Sequence, residues 1–322
     1  MLWLKIRLYD KLCALRKQEI LMTKPNLQFI KQLHGFSRAL FSTWLYHRRF
    51  NILFDAGEGV ATGLQNRVFG IRRVFLSHAH ADHIAGLVNL INIRNLGAGD
   101  QNAPLEIYYP KNSRLLDYMI EYLTKTQKDL SFELYWIPID ETFEMPLSDQ
   151  KGRYFIKAFK TEHTPRQLSL GYNILEIRRK LKPEFENATQ QEINAAVWAH
   201  GKDYVAEDFE QTVFSFAGDS RPVNPELVKE TLCLCHEATY LDPEDDERGF
   251  KQHSYLEEVL QTARDAKVSN LLLIHVSLRY KLQDYACAVA DLRLKTDLKS
   301  DVYILYGSKF YMLTEDGKLQ RC

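Results

Sequence analysis

The sequence predicts an α/β fold in which sheets are covered by helices. Three observations lead there. From Leu27 onward short β-like runs alternate with helical stretches. Hydrophobic residues make up 45% of the 322, ample for a substantial core. No stretch rich in Pro, Gly or Ser offers a linker, which favours one continuous domain over residues 22–322.

In chain order, "LQFIKQL", "ALFSTWLY" and "FNILFDAG" read as early strands joined by short turns, and "VFLSH" as a buried strand. Ile84 to Arg94 has the apolar spacing of a helix. "PLEIYYP", "SFELYWIPI", "YFIKAFKT" and "LSLGYNILEI" are further strands, with a helix near Leu115 to Lys125 between the first two. A polar, helical insert is expected at about 178–210, centred on Ala188 to His200. The alternation then resumes through "TVFSFAGDS", "TLCLCHEA", "NLLLIHVS" and "DVYILY", with helices between them. Strands first paired by turns and then alternating with helices imply sheets with helices on their faces.

Composition narrows the function. The 42 basic and 42 acidic residues cancel, so no global field marks a nucleic-acid or membrane-surface binder. An anionic partner must be held by a local patch. The five cysteines are scattered without paired metal-ligand spacing, which suits a reducing, cytoplasmic compartment. No apolar run approaches the roughly 18 residues of a membrane span. Residues 1–21 form a basic, mildly amphipathic extension, and Met22 offers an alternative start.

The chemistry concentrates in "VFLSHAHADHIAGL". His78 and His80 are two apart at a strand end, so an extended backbone points both imidazoles the same way, toward one ion. Asp82 and His83 follow where the chain turns into a helix, in a direction that suits a second ion. Two ions about 3.5–4 Å apart clamp a hydroxide for attack on phosphate or acyl centres. Such a centre needs further ligands at strand ends, and His163 in "FKTEHTP", Asp219 in "FAGDSRP" and His275 in "LLLIHVSLRY" stand there. The expected arrangement puts His78, His80 and His163 on one ion and Asp82, His83 and His275 on the other, with Asp219 bridging.

With "HAHADH" matching H-x-H-x-D-H, the chain resembles the metallo-β-lactamase superfamily, and within it the ribonuclease Z family of tRNA 3′-processing endonucleases. The matches run in order from about Asn51 to Tyr280: "LFDAGEG", "FLSHAHADHIAGL", "EHT", "LGYNI", "FAGDSRP", "CHEATY", "HSYLEEVLQTARDAK" and "LLIHVSLRY". The resemblance implies an αβ/βα four-layer sandwich, two mixed sheets packed face to face with outer helices, and two Zn2+ at one edge. It implies that Glu237 of "HEAT" holds His253 of "HS" near the scissile phosphate, where a fixed, charged imidazole can protonate a leaving oxygen. Asp82 would both bind zinc and accept a proton from the bridging water. His236 is read as scaffold. Precursor tRNA is the implied partner, and a homodimer the implied assembly.

The chain departs from the family at several points, one being the N-terminal strand-turn, usually a Gly-rich "GT" segment and here "LHGFSRALFSTW". Ala81 stands where Gly is usual and Tyr255 where Thr is usual. The Gly- and Pro-rich arm that grips tRNA is replaced by "RRKLKPEFENATQQEINAAVWAHGKDYVAEDFEQ". Its cluster from Arg178 to Pro183 and its aromatics Trp198, Tyr204 and Phe209 read as a solvated charged face rather than an RNA surface. The acidic run from Asp242 to Glu247 should repel phosphate unless it points away, whereas Arg221, Arg279 and Lys281 are placed to meet a phosphate backbone. Two other functions stay open: hydrolysis of a small phosphodiester, ester or lactone on the same fold, and a non-catalytic binding role.

Overall fold

A computed structural model describes residues 29–97, 103–147, 153–246, 252–314 and 317–322. The expected N-terminal extension, residues 1–21, lies outside the described residues.

Period-two alternation builds two sheets. The first holds six strands in chain order: β1 Leu33–Arg38, β2 Ser42–His47, β3 Ile52–Phe54, β4 Arg73–Phe75, β5 Leu105–Pro110 and β6 Leu134–Ile139. The second holds nine: β7 Glu144–Pro146, β8 Tyr154–Thr161, β9 Ser169–Leu181, β10 Ala206–Phe216, β11 Leu234–Glu237, β12 Asn270–Ile274, β13 Asp301–Tyr306, β14 Lys309–Leu313 and β15 Leu319–Arg321. Both sheets are mixed. The first is antiparallel through β1, β2 and β3 and parallel from β3 to β6. The second is antiparallel at both flanks and parallel from β10 to β13.

Each strand end follows from which face its residues supply. Along β3, Ile52 and Phe54 enter the cluster between the sheets, while Leu53 joins the cluster on the outer face. Phe54 is the middle of that inter-sheet layer, with ring centroids 5.1 Å from Phe216, 5.5 Å from Phe214 and 6.1 Å from Tyr172 across the sandwich. Outside the first sheet, Leu87, Leu90 and Ile91 of the helix Leu87–Gly97 and Leu116 and Leu123 of the helix Arg114–Thr126 cover Val74 and Ile107. Outside the second, the helices Leu256–Asp265 and Leu282–Lys295 cover Leu271, Leu273, Val302 and Ile304. The result is the expected four-layer sandwich. Strands buried on both faces explain the unbroken apolar runs "VFL" and "NLLLI".

Strand direction puts one kind of end at one edge. β10, β11 and β12 are parallel, and β8 shares their direction because two antiparallel pairings separate it from β10. The C-terminal ends of β8, β10, β11 and β12 therefore emerge together, opposite those of the parallel β3 and β4. Each of these ends carries one of the motif segments.

Three local expectations are corrected. "LQFIKQL" does not extend as a strand: Ile30–Gln32 is a 3-10 turn, and β1 starts at Leu33. The helix expected over Ile84 to Arg94 is broken into Ala81–Ile84 and Leu87–Gly97. The cause is Gly86, which packs on the loop after β3 with its N–H donating to the Ala56 carbonyl at 2.8 Å. A Cβ there would lie 2.1 Å from the Gly57 carbonyl oxygen. The 178–210 segment is helical only in its centre. β9 and β10 pair as a long hairpin from Tyr172 opposite Phe216 to Leu181 opposite Ala206, and Gln190–His200 forms a helix at its far tip, started by a Thr189–Glu192 capping box. That helix buries none of its residues, and Trp198 is 91% exposed.

Gly86→Ala should lower stability by about 1–3 kcal/mol, because backbone oxygens cannot yield to a methyl group; an unchanged denaturation midpoint would contradict this packing. His47, buried between Phe50 and Phe214, supplies a pH test. Burial, with Arg49 nearby, depresses its pKa to about 3. The unfolded chain binds this proton near pH 6.5, so the stability is present above 6.5 and declines toward 3 at up to about 1.4 kcal/mol per pH unit. His47→Phe should flatten that decline in a urea-denaturation series from pH 7 to 4.5.

Candidate metal centre

The strand ends bring all seven expected ligand residues together. His78, His80 and His163 each offer a ring nitrogen within 4.8 Å of the others, and Asp82, His83, Asp219 and His275 form a second such group. The two groups adjoin, with the His78 and His83 rings 4.1 Å apart. In the first, His163 Nε2 faces His80 Nδ1 at 3.1 Å. In the second, Asp219 Oδ2 lies 3.2 Å from both His83 Nε2 and His275 Nε2, and Asp82 Oδ2 lies 3.5 Å from His275 Nε2 and 3.7 Å from His83 Nε2.

Hydrogen bonds behind the rings decide which nitrogen faces inward. His83 Nδ1 donates to Asp55 Oδ2 at 2.7 Å. The Ser77 hydroxyl donates to the same carboxylate, so its oxygen accepts from His78 Nδ1 at 2.9 Å. The Thr239 hydroxyl donates to Glu237 and accepts from His275 Nδ1 at 2.9 Å. His163 Nδ1 donates to the Gln252 carbonyl at 2.9 Å. Four imidazoles thus turn Nε2 toward a common centre, the arrangement in which outer partners orient a ligand. Asp55, Ser77 and Thr239 were missed by sequence reasoning. Asp55 had a signal, since "LFDAG" repeats the strand-then-acid-then-Gly texture of "FAGDS" only in scrambled order; Ser77 and Thr239 had none.

The charges are consistent with a cation at the centre. Burial, reinforced by neighbouring imidazoles, holds His78 well below its usual pKa, and burial likewise lowers His80 and His163, so this group is neutral at pH 7. Burial opposes charge on His83, but Asp219 and Asp55 outweigh it and raise its pKa well above the usual value. Burial also opposes the Asp219 carboxylate, and His275 and His83 outweigh it, holding that pKa well down. His78 Nε2, His83 Nε2 and Asp219 Oδ1 are buried without a hydrogen-bond partner. Such orphans are costly. Imidazole nitrogens and carboxylate oxygens converging on one point are the donors divalent zinc takes, so the residues present fit a metal pair.

Glu237 and His253 sit beside this cluster. The fully buried Glu237 carboxylate accepts from Ser220 N–H at 2.7 Å, His253 Nδ1 at 2.9 Å and the Thr239 hydroxyl. His253 Nδ1 is 3.9 Å from Asp219. Burial lowers the His253 pKa, but Glu237 and Asp219 outweigh it and raise it to about 9. His236 is buried scaffold, donating from Nδ1 to the Glu237 carbonyl at 2.7 Å.

The surrounding cations are placed otherwise than expected. Arg221 donates to the His253 carbonyl at 2.8 Å and to Glu258 at 3.0 Å, so it fixes the His253 segment rather than meeting phosphate. Arg279 donates to the Asp245 carbonyl, and Tyr280 to the Asp245 side chain, which ties the acidic run to the chain after His275. Asp246 lines the pocket, and Glu247 lies outside the described residues. In the hairpin arm, Arg178 pairs with Glu176, Arg179 with Asp203 and Asp208, and Lys180 with Glu207. Three of the cluster's four cations are thus paired with acids of the same hairpin.

A cavity of about 410 Å3 opens over the cluster. A larger cleft of about 740 Å3, beside β1 and lined by Phe36, Phe41, Trp44 and Phe310, has no convergent ligand group. Size alone therefore does not mark the site.

Comparison with known proteins gives a consistent result. Residues 40–99 match the metallo-beta-lactamase superfamily model. The chain is 27% identical to ribonuclease Z of Staphylococcus aureus (strain MSSA476) over 255 residues, covering 72% of this chain and 80% of that protein. Among solved structures, the metallo-beta-lactamase fold protein YhfI from Bacillus subtilis is similar at TM-score 0.57 and 17% identity, over 87% of this chain and 98% of that one. Human tRNase Z, short form, is similar at TM-score 0.54 and 22% identity, over 77% and 93%.

Because Asp55 sets the tautomers of His83 and, through Ser77, His78, Asp55→Asn should weaken zinc uptake about 10–100-fold. Asp245→Asn, outside the cluster, should leave it within about twofold. Chelator competition reads both, and unchanged affinity in Asp55→Asn would contradict the arrangement.

Proposed function

We propose that this metal-dependent hydrolase, which has the metallo-β-lactamase fold, is a dinuclear zinc phosphodiesterase of ribonuclease Z type that removes the 3′ trailer of precursor tRNA. The observation that carries this reading is the Glu237–His253 pair, 2.9 Å apart and set beside Asp219 at the mouth of the ligand cluster. The likeness to the staphylococcal ribonuclease Z over most of its length supports the RNA substrate. A cytoplasmic location accompanies this reading.

In the proposal, His78, His80 and His163 hold one ion, Asp82, His83 and His275 the other, and Asp219 serves both. When bound, the ions would supply Lewis acidity toward a phosphoryl oxygen and lower the pKa of a water molecule. The remaining work belongs to side chains. Asp82 keeps an 18% exposed carboxylate at the cavity. Burial raises its pKa, but the neighbouring His275 and His83 imidazoles outweigh this and hold it down, which leaves a carboxylate to accept the attacking water's proton. His253 spends Nδ1 on Glu237, which leaves Nε2 to donate a proton to the leaving oxygen as the phosphorus–oxygen bond breaks. Arg221 holds the His253 backbone in place.

A second reading, hydrolysis of a small phosphodiester, ester or lactone, is favoured by one observation. Arg178, Arg179 and Lys180 of the arm are already paired with its own acids, which weakens its grip on phosphate.

Zinc-loaded protein should cut precursor tRNA at its 3′ side and also hydrolyse bis(4-nitrophenyl) phosphate more slowly. Cleavage of the small ester with the tRNA left whole would overturn the tRNA reading. Asp82→Ala should lose all measurable turnover. His253→Ala should fall about 10²–10⁴-fold in kcat with two zinc ions still bound; loss of zinc in that variant would show that His253 is a ligand instead.

A further inference from the structure

The mouth of the metal cavity is apolar where packing does not require it. Leu40 is 83% exposed and Leu278 is 43% exposed, and both line the cavity with the ring of Tyr240. None of the three is placed loosely. Leu40 lies in the β1–β2 turn with φ of +69°, a conformation that costs a leucine roughly 1–2 kcal/mol. The turn is tied to the segment that carries Leu278: Ala39 N–H donates to the Val276 carbonyl at 3.4 Å, and His275 N–H donates to the Ser37 hydroxyl at 2.8 Å. Tyr240 is fixed by backbone pairing to Tyr255, and its ring stands 6.1 Å from the His253 ring, near perpendicular, and 6.0 Å from the Arg279 guanidinium. Ser277 and Arg279 add hydrogen-bonding groups to the same wall. Apolar faces bounded by polar edge groups match a flat heteroaromatic ring better than a flexible acyl chain.

We propose that Leu40, Leu278 and Tyr240 form a cleft that holds the nucleobase adjoining the scissile phosphate. The inference rests on the phosphodiesterase reading above and extends it to how the substrate is registered over the metals. A base stacked in the cleft fixes the ribose–phosphate next to it, so that the reacting phosphorus meets Asp82 and His253 rather than sliding past them. Stacking is sequence-tolerant, so the cleft would take any of the four bases.

The test is equilibrium binding to the zinc-loaded protein of adenosine 5′-monophosphate and of ribose 5-phosphate, which differ only by the base. The wild-type protein should bind the nucleotide about tenfold more tightly. Leu40→Gly combined with Leu278→Ala should bring the two ligands within about twofold, with ribose 5-phosphate affinity unchanged. Glycine suits the positive φ at position 40, so the double variant should melt no more than a few degrees lower. Equal binding of the two ligands by the wild type, or a preference that survives the double substitution, would overturn the cleft. Tighter binding of butyl phosphate than of the nucleotide would assign it to an aliphatic ester instead. A base preference that behaves as stated while RNA stays uncut would leave the cleft standing and remove only the tRNA reading.

Discussion

Asp219 is a carboxylate almost wholly removed from water, and the site is arranged around the cost of keeping it charged. Moving an ion from water to a protein interior costs several kcal/mol even after relaxation, unless partners return that energy. One oxygen is met at 3.2 Å by two imidazoles, and the other has no partner. Those imidazoles are themselves braced from behind by Asp55 and by the Thr239–Glu237 pair. Three buried carboxylates therefore surround a knot of histidines, and a central cation is the simplest charge that satisfies all of them together. The sandwich exists in a form that permits this, because only parallel strand ends bring loops from both sheets to one edge with their backbone groups already paired.

The arm and the ligand cluster separate in space. β9 leaves the edge that carries the ligand cluster at Ser169 and runs thirteen residues away from it, so the helix Gln190–His200 stands roughly 40 Å from that cluster at about 3.3 Å per residue. The ion pairs across that hairpin hold its shape at little net gain, since exposed pairs contribute about 0–1 kcal/mol each. Near the ligand cluster the opposite holds. Arg221, Asp245 and Tyr280 act through segments that carry the reactive groups, keeping His253 and the chain after His275 in register.

Much of this was legible in the sequence because it is written locally. "HAHADH" combines strand alternation with a helix start, and His163, Asp219 and His275 each follow an apolar strand run, so their convergence needs only the parallel topology. The parts that were not legible depend on contacts between distant segments. Nothing near Gly86 announces that the loop at Ala56–Gly57 will press on it and split the helix. Asp55 reads as the end of the strand run "FNILFDAG", and nothing beside it announces that Ser77 and His83 will arrive at its two oxygens. The arm misled for a different reason: "RRKLK" and "AEDFE" are polar on both faces, so they lack the one-sided period of a half-buried strand, and backbone pairing across the hairpin rather than burial holds them extended. Leu40 was read as strand because a leucine with positive φ has no sequence signature.

The central claim is that two adjoining ligand groups hold a pair of divalent ions. Anomalous diffraction at the zinc edge from crystals grown with zinc tests it most directly. Two peaks about 3.5–4 Å apart are expected, one against His78, His80 and His163 and the other against Asp82, His83 and His275, with Asp219 touching both. A single peak, or zinc bound away from Asp219, would contradict it.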